Sequence, residues 1–552
     1  MSEQQRGSTA RRGVRWVSVF CLAAAMALAA QEPPAPQGQT APGAQTGTQS
    51  NPAQSGQTPK PATHITPEQA RQLFALVDQL LQFSSNETGL PIEGPVKRRL
   101  VSRDDVVRYL EAKVNDDQDA KRMQRDEIVL KKFGLLDRDF ALKPFLISLL
   151  KEQIEGYYDS KTKTVNLLDW VDADEQKAVL AHELTHALQD QHSDLEKWDD
   201  QTPDDVSTNA AGDQDHLARD EMDTARDAVA EGQATAVMID YVLKPDDKSL
   251  IKNPEVLDFW KAQMTGSDSP VMSRAPLLLS ESMLFPYKEG TSFEQDLWMD
   301  EGRTPAFAGA LDRPPTSSWE IINPRVYEKH EIPAIPLLPD IHPLVDPLYR
   351  PYDIGQVGQL DLHIIAELFG GDQAARDLTP AWNGGLYWAG QLRSATTPAA
   401  QDSTKSLAIF YLSVWKSAES AQDFAKLYAD SLGRKYSSVT LDKAAAASAP
   451  SNSEEQVYST EEGPVTITER DKLVFVAESF PLPLARKLAA LIMDAQGVGE
   501  MLTARLDPPP AILDRPAPEP LSAGFVRFFE SCGVMKAAVD ATIQTARDEA
   551  AH

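Results

Sequence analysis

Five consecutive residues constrain this chain more than anything else in it: His182-Glu183-Leu184-Thr185-His186. They fall in a stretch where Val179, Leu180, Leu184 and Leu188 recur at helical spacing, which predicts a helix opening near Asp174-Glu175. In a helix, His182 and His186 stand one turn apart on one face. Two imidazoles so placed can reach one Zn²⁺, while the glutamate after the first His lies beside the metal without ligating it. Glu183 is then positioned to take a proton from water.

Hydrolytic zinc usually has three protein ligands and one open position, and two residues compete for the third place. His192 follows His186 by six residues, but a third His at that spacing has to fold back through a glycine where this chain has Gln189, a good helix former. If the helix continues, His192 is rotated more than about 90° away from the pair. Glu231 is the stronger candidate. Its helical neighbours Ala228, Ala234, Thr235, Met238 and Val242 make a small, mainly apolar face, and no Lys or Arg stands one turn away. A carboxylate buried there alone would cost several kcal/mol, whereas a divalent metal would compensate it. Gly232 and Ala234 would also let another helix approach closely.

Charge and length exclude several classes. The chain has 54 Lys and Arg against 82 Asp and Glu, a formal net charge of −28, and such a field repels a phosphate backbone, so nucleic acid is not an expected partner. No apolar run approaches the roughly 20 residues of a membrane-spanning helix, and no heptad or longer repeat recurs. Arg6, Arg11, Arg12 and Arg15 precede an apolar stretch from Trp16 to Ala29 that ends Ala27-Leu28-Ala29. This reads as a cleaved secretory signal, and hence as an exported protein, periplasmic or extracellular. Cys21 would leave with the signal, and Cys532 alone forms no intrachain disulfide. Stability must then come from a packed core or bound metal.

The 552 residues allow about two to four domains. Residues 1–29 are the signal, and 30–63 a disordered linker rich in Pro, Gln and Gly. Residues 64–154 read as a helical N-terminal region. At 155–350 lies the motif-bearing domain, introduced by a hairpin of two short strands, Tyr157 to Leu168, around Ser160-Lys161-Thr162-Lys163. Thirteen acids against three cations between Asp190 and Asp227 read as an exposed loop between two helices; a calcium site there is disfavoured because no stretch fits EF-hand spacing. The helix carrying Glu231 is expected from about Arg219 to Leu243. Prolines from Pro333 to Pro351 mark an extended boundary segment. Residues 351–500 read as a smaller C-terminal α+β domain, with Trp382-Asn383-Gly384-Gly385 as a turn, and 501–552 as a Pro-rich segment with a helical tail.

The pattern resembles the gluzincin-type zinc metallopeptidases, in which His-Glu-x-x-His lies on one helix and a Glu ligand on a later one. More narrowly, the run His182 to His192 followed by Ala230-Glu231-Gly232-Gln233-Ala234 resembles a group of uncharacterised exported bacterial proteins regarded as metallopeptidases. Phe285-Pro286-Tyr287 and Pro314-Pro315-Thr316-Ser317-Ser318 are similar to segments of that group. The resemblance implies a mainly helical α+β fold with a gluzincin-like core, zinc held by His182, His186 and Glu231, Glu183 as general base, and an edge strand in the Tyr157–Leu168 hairpin that pairs with an extended peptide substrate. One departure stands out: many gluzincins place, four residues after the ligand Glu, an Asp that bonds the first His, and this chain has Thr235 there. Asp227, one turn earlier, is a substitute to test. Tyr157, Tyr158, Tyr287 and His216 are candidate oxyanion donors. Two alternatives stay open: a non-catalytic exported binding or assembly protein with a structural metal site, and a zinc hydrolase of a non-peptide amide.

Overall fold

The computed structural model describes residues 65–496 apart from 115–116, 154–155, 172, 174–175, 199–200, 202–205, 265–269 and 450–452. The expected signal, linker and C-terminal tail lie outside the described residues. Helix accounts for 58% and strand for 17% of the described residues, so the class is α+β with helix predominating. No helix among the described residues is long and apolar enough to cross a membrane.

Thr66 caps the first helix, Pro67–Thr88. Its hydroxyl accepts from Gln69 N at 3.2 Å while the Gln69 side chain accepts from Thr66 N at 2.9 Å, and Gly89 at φ 77° ends the helix. Leu73, Val77, Leu80 and Leu81 are its buried stripe. Ser84 Oγ donates to Ala181 O at 3.0 Å, which lays this helix along the one that carries the motif. Helices Arg103–Val114, Asp117–Phe133 and Leu142–Gln153 follow.

Three strands form the first sheet: β1 (Lys97–Val101), β2 (Gly156–Asp159) and β3 (Thr164–Leu168), in the order β1-β3-β2. The expected hairpin is β2–β3. β1 was not anticipated, because Lys97-Arg98-Arg99 is exposed and carries no apolar alternation. It pairs parallel with β3, Leu100 opposite Leu167, and so ties the helical N-terminal region to the motif region. That leaves β2 as the outer strand of the sheet among the described residues, beside the motif helix.

Seven strands form the second sheet: β4 (Tyr349–Gln356), β5 (Trp382–Leu392), β6 (Leu407–Trp415), β7 (Val439–Leu441), β8 (Glu454–Thr460), β9 (Gly463–Arg470) and β10 (Leu473–Glu478). The order is β4-β5-β6-β10-β9-β8-β7, antiparallel throughout. Its two faces serve different cores. Tyr387, Ala389, Ile409 and Tyr411 join a large apolar cluster that continues to the first helix, whereas Leu386, Trp388, Phe410 and Leu412 join a second cluster closed by the helix Leu482–Ala495. Trp382-Asn383-Gly384-Gly385 is not a turn but the irregular start of β5: the register shifts between Trp382 and Gly385, and Gly384, at φ 120°, passes so near Ala334 O that a Cβ would lie 2.7 Å from it.

From Asn209 on, the acidic stretch is also not the exposed loop that composition suggests. Asn209 caps a helix, Ala210–Arg219, by accepting from Gly212 N at 3.0 Å, and Asp213 and His216 on it are buried. Asp213 Oδ2 lies 3.1 Å from His342 Nε2, Asp220 accepts from Gln356 N at 2.5 Å, and Glu221 accepts from Ser318 Oγ at 2.5 Å. These partners are 97 to 136 positions away in sequence, and each gives one oxygen of a buried carboxylate a polar partner.

Candidate metal centre

The motif lies on the helix Gln176–Ser193. Gln176 anchors its start to β3: its side chain accepts from Leu168 N at 3.2 Å and donates to Leu168 O and Val171 O, each at 3.1 Å. Gly156 of β2 rests on the same helix, where a Cβ would stand 3.2 Å from Val179 Cγ1. At the far end Asp194, at φ 51°, stops the helix.

Glu231 lies on the helix Met222–Leu243, buried on nearly every side from Met222 to Asp240, as befits a helix crossing the middle of a core. Gly232 meets Gly290 on the helix Leu277–Asp300 so closely that a Cβ on Gly232 would stand 2.3 Å from the Gly290 carbonyl. The expected close approach at Gly232 is therefore present, and it fixes the height of Glu231. Phe285-Pro286-Tyr287 lies on that third helix, buried. Ser318 bonds Glu221 at the start of the Glu231 helix, so both segments singled out in the sequence buttress the element that carries Glu231.

His182, His186 and Glu231 converge, each with a ligand atom within 4.8 Å of the others. His182 Nε2 is 3.0 Å from Glu231 Oε2 and 2.8 Å from His186 Nε2, and His186 Nε2 is 3.5 Å from Glu231 Oε2. Burial, against the pull of Glu231, holds the His182 imidazole down to about 4, so its ring is neutral at pH 7 with a lone pair available. Burial pushes the Glu231 carboxyl up, but the His186 and His182 rings outweigh it and keep the group below the usual carboxylate range. A neutral His182 imidazole beside an ionised carboxylate suits a divalent cation. This buried group could hold a metal ion, and no fourth His, Cys, Asp or Glu joins it among the described residues.

Glu183 stands beside this triad and outside it. Its Oε2 accepts from Tyr158 N at 2.6 Å, on the β2 edge, while its Oε1 is buried with no hydrogen-bond partner. Burial, and then the charge of Glu231, raise its carboxyl well above the usual range. A water or a cation would satisfy the orphaned Oε1, so the surroundings of Glu183 fit the same conclusion as the triad.

A residue the sequence reading passed over orients the second histidine. Gln189 Nε2 donates to Ala230 O and to Gln233 Oε1, each at 2.9 Å, and Gln233 Nε2 donates to Ala306 O and Phe307 O, each at 3.0 Å. Backbone carbonyls can only accept, so both amides have one permitted orientation. Gln189 Oε1 therefore faces His186 Nδ1, at 2.8 Å, as an acceptor. His186 therefore directs an Nδ1 proton at Gln189, and Nε2 is the ring atom that faces His182 and Glu231. The only available sequence signal was Gln189 at i+3 from His186, which the helix former's propensity obscured.

Of the other candidates, His192, His216 and the Tyr158 hydroxyl have partners outside the triad. Because the helix continues to Ser193, His192 turns away and pairs with Asp312 at 3.0 Å. His216 is 3.2 Å from Asp220 in the buried acidic cluster. Tyr158 donates its hydroxyl to Asp190 Oδ2 at 2.6 Å, and Lys163 covers the same carboxylate at 2.6 Å. Tyr157, Tyr287, Asp227 and Thr235 are all buried. Comparison with protein-family models, with curated proteins and with solved structures finds no match to this chain.

Proposed function

We propose that this chain is an exported, zinc-dependent metallopeptidase of gluzincin type, cleaving peptide bonds in an extended substrate. The observation that carries the reading is the convergence of His182, His186 and Glu231 with a non-ligating carboxylate, Glu183, whose Oε1 lacks a partner. His182, His186 and Glu231 would hold the zinc, which when bound supplies a Lewis acid that acidifies water and polarises a carbonyl. The chain's own part is proton traffic and positioning. Glu183, its affinity for protons raised by burial, takes a proton from the attacking water and returns it to the leaving amine. Gln189 accepts an Nδ1 proton of His186 and so orients the ring. The edge of β2 offers backbone groups to an extended peptide, and Tyr158 N on that edge already holds Glu183 in place. The Arg6-to-Ala29 segment supports export.

Glu183→Gln tests the assignment. The variant should keep its metal and lose about 10²–10⁴-fold in hydrolysis rate against a peptide library; full activity would remove Glu183 from its role. A second reading, a structural metal in a binding or assembly protein, draws on the burial of His182, Glu183, His186 and Glu231, none of them more than 2% exposed. Metal at full occupancy with no hydrolysis of peptides or of other amides by the wild type would favour it. Hydrolysis of non-peptide amides alone would keep the mechanism and change the substrate.

A further inference from the structure

We propose that the cleft where Leu135–Phe140, Ala275–Leu277 and Arg434 meet is a binding site for a small organic anion, its carboxylate or phosphate held by Arg274 and Arg434. The cleft has a volume of about 260 Å³, just below the range of about 300–1,000 Å³ typical of organic-ligand pockets, which limits it to a small ligand. Its lining reverses the charge of the chain. Lys131, Arg138, Arg274, Arg434 and Lys435 line it against a single carboxylate, Asp137, although acids outnumber cations 82 to 54 overall.

Three of those cations already have carboxylate partners. Lys131 pairs with Glu127 at 2.7 Å, Lys435 with Glu478 at 2.6 Å, and Arg138 reaches Glu462 at 3.3 Å. Behind the wall the balance is still positive, because Lys132 also pairs with Glu462, at 2.8 Å, so three cations share two carboxylates. Arg274 and Arg434 differ from the rest. Arg274 Nε donates to Pro270 O at 2.8 Å, and Arg434 donates to Leu368 O. Both contacts are to neutral carbonyls, and neither guanidinium pairs with a carboxylate among the described residues. Both line the same cleft, so an anion entering it meets two guanidinium groups that no described carboxylate neutralises. A guanidinium offers parallel N–H donors that match the oxygens of a carboxylate or a phosphate. Leu135, Phe140, Leu277 and Leu368 supply apolar wall for the remainder of the ligand.

This site is separate from the metal centre. Leu277 opens the helix whose Gly290 packs against Gly232, and thirteen residues of helix span about 20 Å. No residue of the triad lines the cleft. The proposal therefore stands or falls independently of the peptidase reading.

The test is isothermal titration of the full chain with inorganic phosphate and, separately, with benzoate, each against sodium chloride at matched ionic strength. Arg274→Gln and Arg434→Gln are compared with wild type, and Arg71→Gln, whose partner is the exposed Glu68, serves as control. Both cleft arginines are exposed, so their loss should leave the fold intact. The expected result is binding of at least one probe, weakened tenfold or more in each cleft variant and unchanged in the control. Binding of phosphate alone assigns the head group as a phosphomonoester, and binding of benzoate alone as a carboxylic acid. No binding of either probe above the chloride baseline overturns the proposal, as does wild-type affinity in either cleft variant.

Discussion

Gln189 Oε1 accepts the Nδ1 proton of His186 across 2.8 Å, and the backbone carbonyl of Ala230 holds the other end of the same amide. One side chain thus orients a candidate ligand on its own helix and ties that helix to the one bearing Glu231. Gln189→Ala should leave the helix intact, since Ala is a strong helix former, yet free the ring to rotate and to shift its proton. Metal affinity should fall about 10–100-fold. A chelator competition titration measures this, with circular dichroism confirming the unchanged fold; wild-type affinity would exclude Gln189 from the positioning role.

The closest approach in the core sets the second expectation. A Cβ on Gly232 would lie 2.3 Å from the Gly290 backbone, and one on Gly290 would lie 2.0 Å from Ala228 O. Backbone cannot rotate away as a side chain can, so the two helices must separate. Gly232→Ala should cost about 1–3 kcal/mol, as overpacking does, and should shift Glu231 and so weaken metal binding. Urea unfolding together with metal titration would show both effects. A variant that loses stability alone would show that Glu231 tolerates the displacement.

How much of this was legible in the sequence depended on whether the signal was local. The motif helix, the helix of Glu231, the hairpin and the close approach at Gly232 were readable because period, spacing and small residues all act within a few turns. The inward fold of Asp213, Asp220 and Glu221 was not, since their partners His342, Gln356 and Ser318 lie about a hundred positions away and composition alone marks such acids as solvated. β1 was hidden for a related reason: its exposed Lys97-Arg98-Arg99 gains its conformation from pairing with β3, not from its own pattern. Gln189 was read only as a helix former, because its amide acquires a role only when Ala230 and Gln233 arrive from another helix.

Glu294 gives a pH dependence with a definite sign. It is fully buried on the helix Leu277–Asp300, and burial, against a smaller opposing effect of Gln233, raises its carboxyl to about 8. The unfolded chain releases this proton near 4.5, so the folded state binds more protons between these values. The stabilising contribution is fully present below the unfolded value and is lost as pH rises through about 8, with a slope of at most about 1.4 kcal/mol per pH unit. Glu221, raised to about 8, and Asp240, raised to about 7, act in the same direction. Glu294→Gln keeps the shape and removes one of these three contributions. The drop in urea midpoint between pH 5.5 and 7.5 should therefore be smaller in the variant than in the wild type. Equal drops would mean that Glu294 does not carry its proton through this range.

The third ligand can be decided by two substitutions that spacing alone left in competition. Glu231 Oε2 is 3.0 Å from His182 Nε2, inside the core, whereas His192 Nε2 is 3.0 Å from Asp312 Oδ1, a carboxylate whose side chain is 70% exposed. A pair as exposed as His192–Asp312 contributes about 0–1 kcal/mol, so His192→Ala should change stability little and leave metal content at about one ion per chain. Glu231→Gln keeps nearly the same volume but removes the charge that compensates a divalent cation, and it leaves two imidazoles to bind alone. Elemental analysis of the two variants beside wild type should show metal retained in the first and reduced in the second. Reduction in His192→Ala with retention in Glu231→Gln would transfer the ligand role to His192. That outcome would require the last turn of the motif helix to unwind beyond Gln189, which would also break the amide bonds that fix His186.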